Sequence, residues 1–279
     1  MFKSVGLIAR YDKKKAMQLT DTLADHLKRK GLEVCVEDTL AGKTKTKHVA
    51  VPLEQMRTDF VITIGGDGTI LRACISLPKP EPPVLAVNMG VRGFLTEVTP
   101  QNAIEAVDTC LNGEYSLEKC MKLAVQANGT GFPDALNEIV LLADEPARLI
   151  YARVSKNNKH ILNCLADGLM VSTQTGSTGY SLSAGGPVLD PDVDSYVLTP
   201  ICALSVFKPI VFPANSTLSI DTVRPKKVVV LVDGKYRQTI SSRSPSLTVK
   251  RSKNVTTFIR IKENFYERLK SRLLFKGSG

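Results

Sequence analysis

The chain is expected to hold an N-terminal Rossmann-like, doubly wound α/β domain followed by an all-β, sandwich-like domain. Three observations predict this. Apolar strand-like runs alternate with helical spacing over residues 1–98, the rhythm of a parallel sheet wrapped by helices. From Ser116 onward short β-rich runs separated by turn residues replace it, with no long helical pattern among them, the signature of a sandwich. Within the first region, Phe60-Val61-Ile62-Thr63-Ile64 runs straight into Gly65-Gly66-Asp67-Gly68-Thr69. That is a buried parallel strand ending in an abrupt turn.

Residues 5–9 (Val-Gly-Leu-Ile-Ala) read as the first core strand. Ala16, Leu19, Leu23, Ala24 and Leu27 then share one helical face, and Gly31 ends that helix. Residues 32–36 form a second strand, and the lysine-rich segment 42–51 an exposed loop. After the Asp67 turn a helix is expected over about 69–76, broken by Pro78-Lys79-Pro80-Glu81-Pro82-Pro83; residues 84–87 resume the sheet. A helix over 101–111 ends at Asn112-Gly113. The β-rich domain, taken as 99–263, carries expected strands at 122–127, 137–142, 149–154, 160–164, 168–172, 217–221, 228–232, 246–249 and 256–261. The closing segment 264–279 returns to helical spacing (Phe265, Leu269, Leu273) and is expected to pack on the first domain.

Length and composition fit a soluble protein of 279 residues. No apolar run approaches the roughly 20 residues that span a bilayer, and the short apolar start, closed by Arg10 and Asp12-Lys13-Lys14-Lys15, is no signal peptide. The six cysteines form no Cys-x-x-Cys pair and the three histidines stand apart from them. Reduced thiols in a cytoplasmic protein are expected, rather than a zinc site or a disulfide framework, and a His-dependent triad is disfavoured. The net charge of +10 favours anionic partners. With no Trp and only 6% aromatics, stacking on nucleic acid has little to work with.

Chemistry concentrates in three places. In open α/β sheets ligands bind beyond the carboxyl ends of strands, so the turn displays Asp67 there. The N–H groups of Gly65, Gly66, Gly68 and Thr69, with the following helix N-terminus, suit a phosphate; the plainer reading makes Asp67 a helix N-cap. A run from Asp167-Gly168 through Thr175-Gly176-Ser177-Thr178-Gly179-Tyr180-Ser181-Leu182-Ser183-Ala184-Gly185-Gly186-Pro187 is rich in hydroxyls and glycine. It suits polar ligands, although it is neither a Walker A loop nor Gly-x-Ser-x-Gly. Asn137-Glu138 opens a strand, where a polar start is the default and a ribose or amide contact the alternative.

In combination these blocks, with Asn88-Met89-Gly90-Val91-Arg92-Gly93-Phe94-Leu95, Pro200-Ile201-Cys202, Lys208-Pro209-Ile210-Val211, Asp233-Gly234 and the ending Phe265-Tyr266-Glu267-Arg268-Leu269, stand in the order seen in NAD kinases. The chain resembles that family over nearly its whole length. The resemblance implies transfer of a terminal phosphoryl group from ATP or inorganic polyphosphate to the 2′-hydroxyl of the adenosine ribose of NAD, giving NADP. It implies Asp67 as proton acceptor, and Gly68, Arg72, Asn137, Glu138, Arg148, Asp167, Thr178, Gly179, Tyr180, Ser181, Leu182 and Ser183 as dinucleotide contacts. A divalent ion, Mg²⁺, comes with the donor and no residue set is assigned to a metal. The family assembles as homodimers or homotetramers, with no nucleic-acid or membrane partner. The chain departs from the family pattern in Ala203-Leu204 where Pro-His is usual, in Lys235 after the Asp-Gly pair, and in Gly179 before the tyrosine. Two alternatives stand beside this reading: a lipid kinase, which shares the Gly-Gly-Asp-Gly turn, and a basic binding module without enzymatic activity.

Overall fold

The computed structural model describes residues 2–44, 48–90, 93–204, 207–261 and 265–273. The chain divides into two units, residues 1–119 with 256–279, and residues 120–255.

The first unit begins with β1 (Ser4–Ala9), α1 (Lys14–Arg29), β2 (Glu33–Glu37), β3 (Val49–Val51), β4 (Phe60–Gly65), α2 (Asp67–Ser76), β5 (Val84–Asn88) and α3 (Ala103–Leu111). The strands pair in parallel in the order β5-β4-β1-β2-β3. From the β1/β4 pair, the chain through α1 moves to one side of the sheet order and the chain through α2 to the other. The β1/β4 junction is thus the topological switch point at which such sheets bind ligands, and Asp67 follows β4 directly. Both faces are covered: Val5, Leu7, Phe60, Ile62 and Ile64 pack with Leu23, Ala24 and Leu27 of α1 and Val107 and Cys110 of α3. Ile8, Val61, Ile70, Ala73 and Cys74 are buried as well. That two-sided burial explains why β4 reads as an unbroken apolar run. α1 closes as expected, with Gly31 at φ +85° and the Leu32 N–H returning to the Leu27 carbonyl at 3.1 Å.

Two expectations shift here. Within the segment read as a loop, Val49–Val51 is an edge strand on β2, because two β-branched residues fit a pleated edge; Lys45, Thr46 and Lys47 lie outside the described residues. Helix α2 starts at Asp67 rather than Thr69.

The second unit contains most of β6 (Ser116–Ala127), then β7 (Thr130–Gly131), β8 (Glu138–Ala143), β9 (Ile150–Lys156), β10 (Lys159–Ala166), β11 (Gly168–Ser172), the short helix α4 (Tyr180–Ser183), β12 (Ser195–Ile201), β13 (Ile210–Pro213), β14 (Thr217–Arg224), β15 (Lys227–Val232), β16 (Tyr236–Ser241) and the first part of β17 (Ser246–Arg260). One antiparallel sheet runs β13-β12-β11-β8-β15-β16; the other runs β10-β9-β14-β17, with β6 also on β17. This is the expected sandwich. Strands β7, β12, β13 and β16 are additions to what the sequence predicts, and β17 is one strand where two were expected. The last residues of β17 count in the first unit, where Phe258 pairs with Val84 of β5, and so does α5 (Phe265–Leu273). The expected boundary at 98/99 precedes α3; the units divide at 119/120, since α3 sends Ala103, Ala106, Val107 and Cys110 into the first core.

Candidate active site

In the first unit Gly66 is the N-cap of α2 and Asp67 its first residue. Asp67 is therefore not the cap. Its carboxylate points to the segment after β5: Oδ2 accepts the Phe94 N–H at 2.7 Å and Oδ1 the Leu95 N–H at 3.1 Å. Gly93 makes this approach possible, since a Cβ there would lie 2.7 Å from Asp67 Oδ1. The Met89 N–H donates to the Gly65 carbonyl at 2.7 Å, and the Gly90 N–H to Asn88 Oδ1 at 2.9 Å, which brings the expected Asn88–Leu95 block beside the turn. Val91 and Arg92 of that block lie outside the described residues. The acid is thus clamped by two peptide donors, and each oxygen keeps a lone pair.

Arg72, one turn along α2, is committed elsewhere. Its guanidinium makes a two-pronged pair with Glu37 of β2, Nη2 to Oε2 being 2.8 Å, and Glu37 is only 1% exposed. Removing Arg72 leaves the Glu37 charge in the interior, the costly half of a buried pair.

In the second unit Asp233 organises Asn137 and Glu138. The Asp233-Gly234 turn between β15 and β16 has φ +51° and +60°, the left-handed pair that a tight hairpin turn needs. It turns the Asp233 carboxylate inward, where Oδ2 accepts the Leu136 N–H at 2.8 Å and Oδ1 accepts those of Asn137 and Glu138 at 2.8 and 3.0 Å. Burial pushes this carboxyl upward from its ordinary value; the three N–H donors and the positive charge of the fully buried Lys122 pull against it. Thr173 locks the other side: its hydroxyl donates to the Leu136 carbonyl at 2.6 Å, and the Gly176 N–H donates to that hydroxyl at 3.0 Å. Gly176 has no room for a side chain, because a Cβ would stand 2.1 Å from the Asn137 carbonyl oxygen.

Two acceptors in this framework, Asn137 Oδ1 and Glu138 Oε2, are buried without a hydrogen-bond partner. A Cβ on Gly179 would sit 3.7 Å from both Asn137 Nδ2 and Glu138 Oε2, so the two side chains converge over Gly179. Unsatisfied buried polar atoms cost about 1–3 kcal/mol each, which suits a place that donor groups of a ligand complete. Burial first, and the Asp233 charge second, raise Glu138 from 4.5 to about 8; it carries a proton at neutral pH. The folded state then binds one more proton than the unfolded chain between pH 4.5 and about 8, so stability falls as pH rises through that window. We expect a loss approaching about 1.4 kcal/mol per pH unit, read as a falling melting temperature, and Glu138→Gln removes this component of the slope while weakening dinucleotide binding. A melting profile identical in parent and variant across that window contradicts the assignment.

The remaining expected contacts are distributed unevenly. The hydroxyls of Ser177 and Ser181 serve the turn itself, on the Gln174 carbonyl at 2.6 Å and on Thr199 Oγ1 at 2.9 Å; the Thr178 hydroxyl donates to the Thr175 carbonyl at 3.2 Å. Tyr180 and Ser183 are exposed, with Leu182 half-buried. Asp167 is exposed beside β11, and Arg148 is exposed and paired with Glu145 at 2.8 Å. Sequence reasoning assigned no role to Asp233, Thr173 or Lys122. Asp233-Gly234 carried a signal as a hairpin turn; a lysine in a β-rich run carried none. Among the described residues no three His, Cys, Asp or Glu side chains are placed to cage a metal ion.

A doubly wound unit presents a clamped carboxylate at its switch point, a β sandwich in the same chain holds open buried acceptors, and the relatives of this chain make it a phosphotransferase acting on an alcohol group. Residues 5–115 match the ATP-NAD kinase N-terminal domain and residues 136–261 the ATP-NAD kinase C-terminal domain. The chain belongs to the ATP-NAD kinase family and phosphorylates NAD to NADP. It is 34% identical over 276 residues to the NAD kinase of Methanothermobacter thermautotrophicus, covering 98% of this chain and 97% of that one. It is 38% identical over 267 residues to that of Thermococcus kodakarensis, covering 94% and 95%. Of solved structures, an NAD kinase from Archaeoglobus fulgidus in complex with ATP matches with TM-score 0.79 and 26% identity, over 97% of each chain. Yeast NADH kinase complexed with NADH matches with TM-score 0.90 and 23% identity, over 99% of this chain and 88% of that one, which shows the fold. The lipid-kinase and non-enzymatic readings fall with this membership.

Proposed function

We propose that Asp67 is the base that takes the proton from the 2′-hydroxyl of the adenosine ribose as its oxygen attacks the terminal phosphorus of ATP. The new O–P bond forms while the bond from that phosphorus to ADP breaks, and the proton resides on Asp67 until solvent removes it. Phosphoryl transfer needs positioning and charge neutralisation more than covalent help from the protein, and the observation that carries the reading is the two-point clamp on Asp67 at the switch point. Asn137 and the protonated Glu138 take ribose or carboxamide groups of the dinucleotide, an assignment supported by their partnerless buried oxygens. Gly68, Arg72, Arg148, Asp167, Thr178, Gly179, Tyr180, Ser181, Leu182 and Ser183 belong to the same proposed dinucleotide contacts, Arg72 through whatever N–H capacity Glu37 leaves it.

The backbone from Gly65 to Thr69 receives the donor phosphates at the N-terminus of α2. Its glycines separate two effects. A Cβ on Gly65 would stand 2.1 Å from Thr69 Oγ1, whereas one on Gly66 meets nothing within 4 Å. Gly65→Ala is expected to lower melting temperature and turnover together. Gly66→Ala is expected to melt within about 2 °C of the parent, yet raise KM for ATP severalfold, because the space it fills is where the phosphates approach. An unchanged KM for Gly66→Ala removes this turn from donor binding.

The divalent ion, Mg²⁺, is carried in with the donor phosphates rather than housed by a cluster of the chain's own side chains. Polyphosphate as a second donor, assembly as a homodimer or homotetramer and a cytoplasmic location complete the proposal. The test crosses ATP and polyphosphate with NAD and its 2′-deoxyribose analogue. Product from NAD, none from the analogue, and competitive inhibition by the analogue are expected; phosphorylated analogue overturns the acceptor assignment.

A further inference from the structure

We propose that Arg260 is a positioning residue for the reaction, holding the peptide segment that clamps the Asp67 carboxylate. The inference rests on Asp67 being the base. Arg260 lies at the end of β17, is 6% exposed and sits in the first unit with the groups it meets. Its Nη1 donates to the Leu95 carbonyl at 3.0 Å, and its Nε donates to Glu118 Oε2. Glu97 Oε2 lies 3.7 Å from Nη1, and the guanidinium stacks 4.6 Å from the centre of the Phe258 ring. Glu97 also accepts the Ile261 N–H on Oε1 at 3.1 Å. The end of β17 is thereby bonded to both Leu95 and Glu97.

The residue whose carbonyl Arg260 grips is the one whose N–H holds Asp67 Oδ1. Downstream, the Val98 N–H donates to the Ala86 carbonyl at 3.2 Å and the Val98 carbonyl accepts the Asn88 N–H at 2.8 Å, which anchors the segment to β5. Upstream, Leu95 is gripped from two sides, its N–H by the Asp67 carboxylate and its carbonyl by Arg260. Arg260 thus does for residue 95 what β5 does for residue 98. A planar guanidinium bonds the Leu95 carbonyl and the Glu118 carboxylate at once while holding its charge beside Glu97; an ammonium of similar reach cannot match these directions. Small displacements of a reacting group cost rate steeply, about 10²-fold for 1 Å.

The test is a double-mutant cycle of Arg260→Lys with Asp67→Asn, following kcat, KM for NAD and melting temperature; Arg260→Gln is a second variant, read only where it folds. Lysine keeps a charge between Glu97 and Glu118, so Arg260→Lys is expected to fold. Its kcat is expected to drop about 10-fold or more with KM for NAD within about twofold. In the Asp67→Asn background the same change is expected to leave residual kcat unaltered, because the group it positions no longer acts as a base. Parental kcat in Arg260→Lys, or an equal loss in both backgrounds, overturns the inference: the first shows no role, the second a purely structural one. Near-parental turnover of Asp67→Asn alone overturns the Asp67 reading instead, so the two failures are told apart.

Discussion

Asp67→Asn is expected to lower turnover by about 10²–10⁴-fold, the range a positioned general base supplies, while NAD binding survives. The substitution does more than remove the proposed base. Two peptide N–H groups face the two carboxylate oxygens, and an amide offers one oxygen to that pair, so one N–H must face an NH₂ group. The unsatisfied donor costs about 1–3 kcal/mol, and a modest drop in melting temperature is expected alongside the lost turnover. Asp67→Glu is not expected to restore activity, since Gly93 already stands too close to Oδ1 to admit even a Cβ. Single-turnover measurement of NADP formation, with NAD affinity measured calorimetrically, checks both parts. Turnover close to that of the parent removes Asp67 from the chemistry.

Asp233→Asn is expected to have the largest effect on stability. One carboxylate accepts three N–H groups of the Leu136–Glu138 segment and faces the buried charge of Lys122. The amide satisfies at most the Asn137 and Glu138 donors, turns its own NH₂ toward the Leu136 N–H, and withdraws a negative charge that balances the buried Lys122 ammonium. Stranding the Leu136 N–H costs about 1–3 kcal/mol and the withdrawn charge adds to it, a melting-temperature loss of several degrees in a protein of this size. Removing the negative charge also relieves part of what holds Glu138 at about 8, so the pH window of its titration moves down. Thermal melts across pH, with dinucleotide titrations, read both consequences. A variant that melts with the parent shows that the Asp233 turn does not hold this region together.

What the sequence revealed and what it hid follow from how local each cause is. Strand β4 and its glycine turn were legible because burial on both faces and the turn chemistry are written in consecutive residues. Strand β12 was hidden by Pro200, which argues against a strand; it is tolerated because Pro200 lies beyond Leu198, where pairing with β13 ends. Strand β17 looks like two strands in the sequence because Lys250, Arg251 and Lys253 interrupt its apolar pattern, although its ladder partners hold it as one. At the candidate site, Asp67 stands out in the sequence, but the groups that hold its carboxylate do not: the Phe94 and Leu95 N–H groups have no side-chain signature, and Arg260 stands 165 residues from the carbonyl it grips. Asp233 is separated from its three donors by 95 to 97 positions, beyond any periodicity.

The route of β17 has a consequence for biosynthesis. Residues 120–255 are inserted into the first unit, and the Val84 end of β5, paired with β4 on one side, acquires its second neighbour only when Phe258 emerges from the ribosome. Until then the nascent parallel sheet displays an open margin to the crowded cell, the kind of margin that recruits foreign strands. Folding of the first unit is therefore expected to wait until translation has passed Phe258, and stalled fragments ending before that residue are expected to call on chaperones.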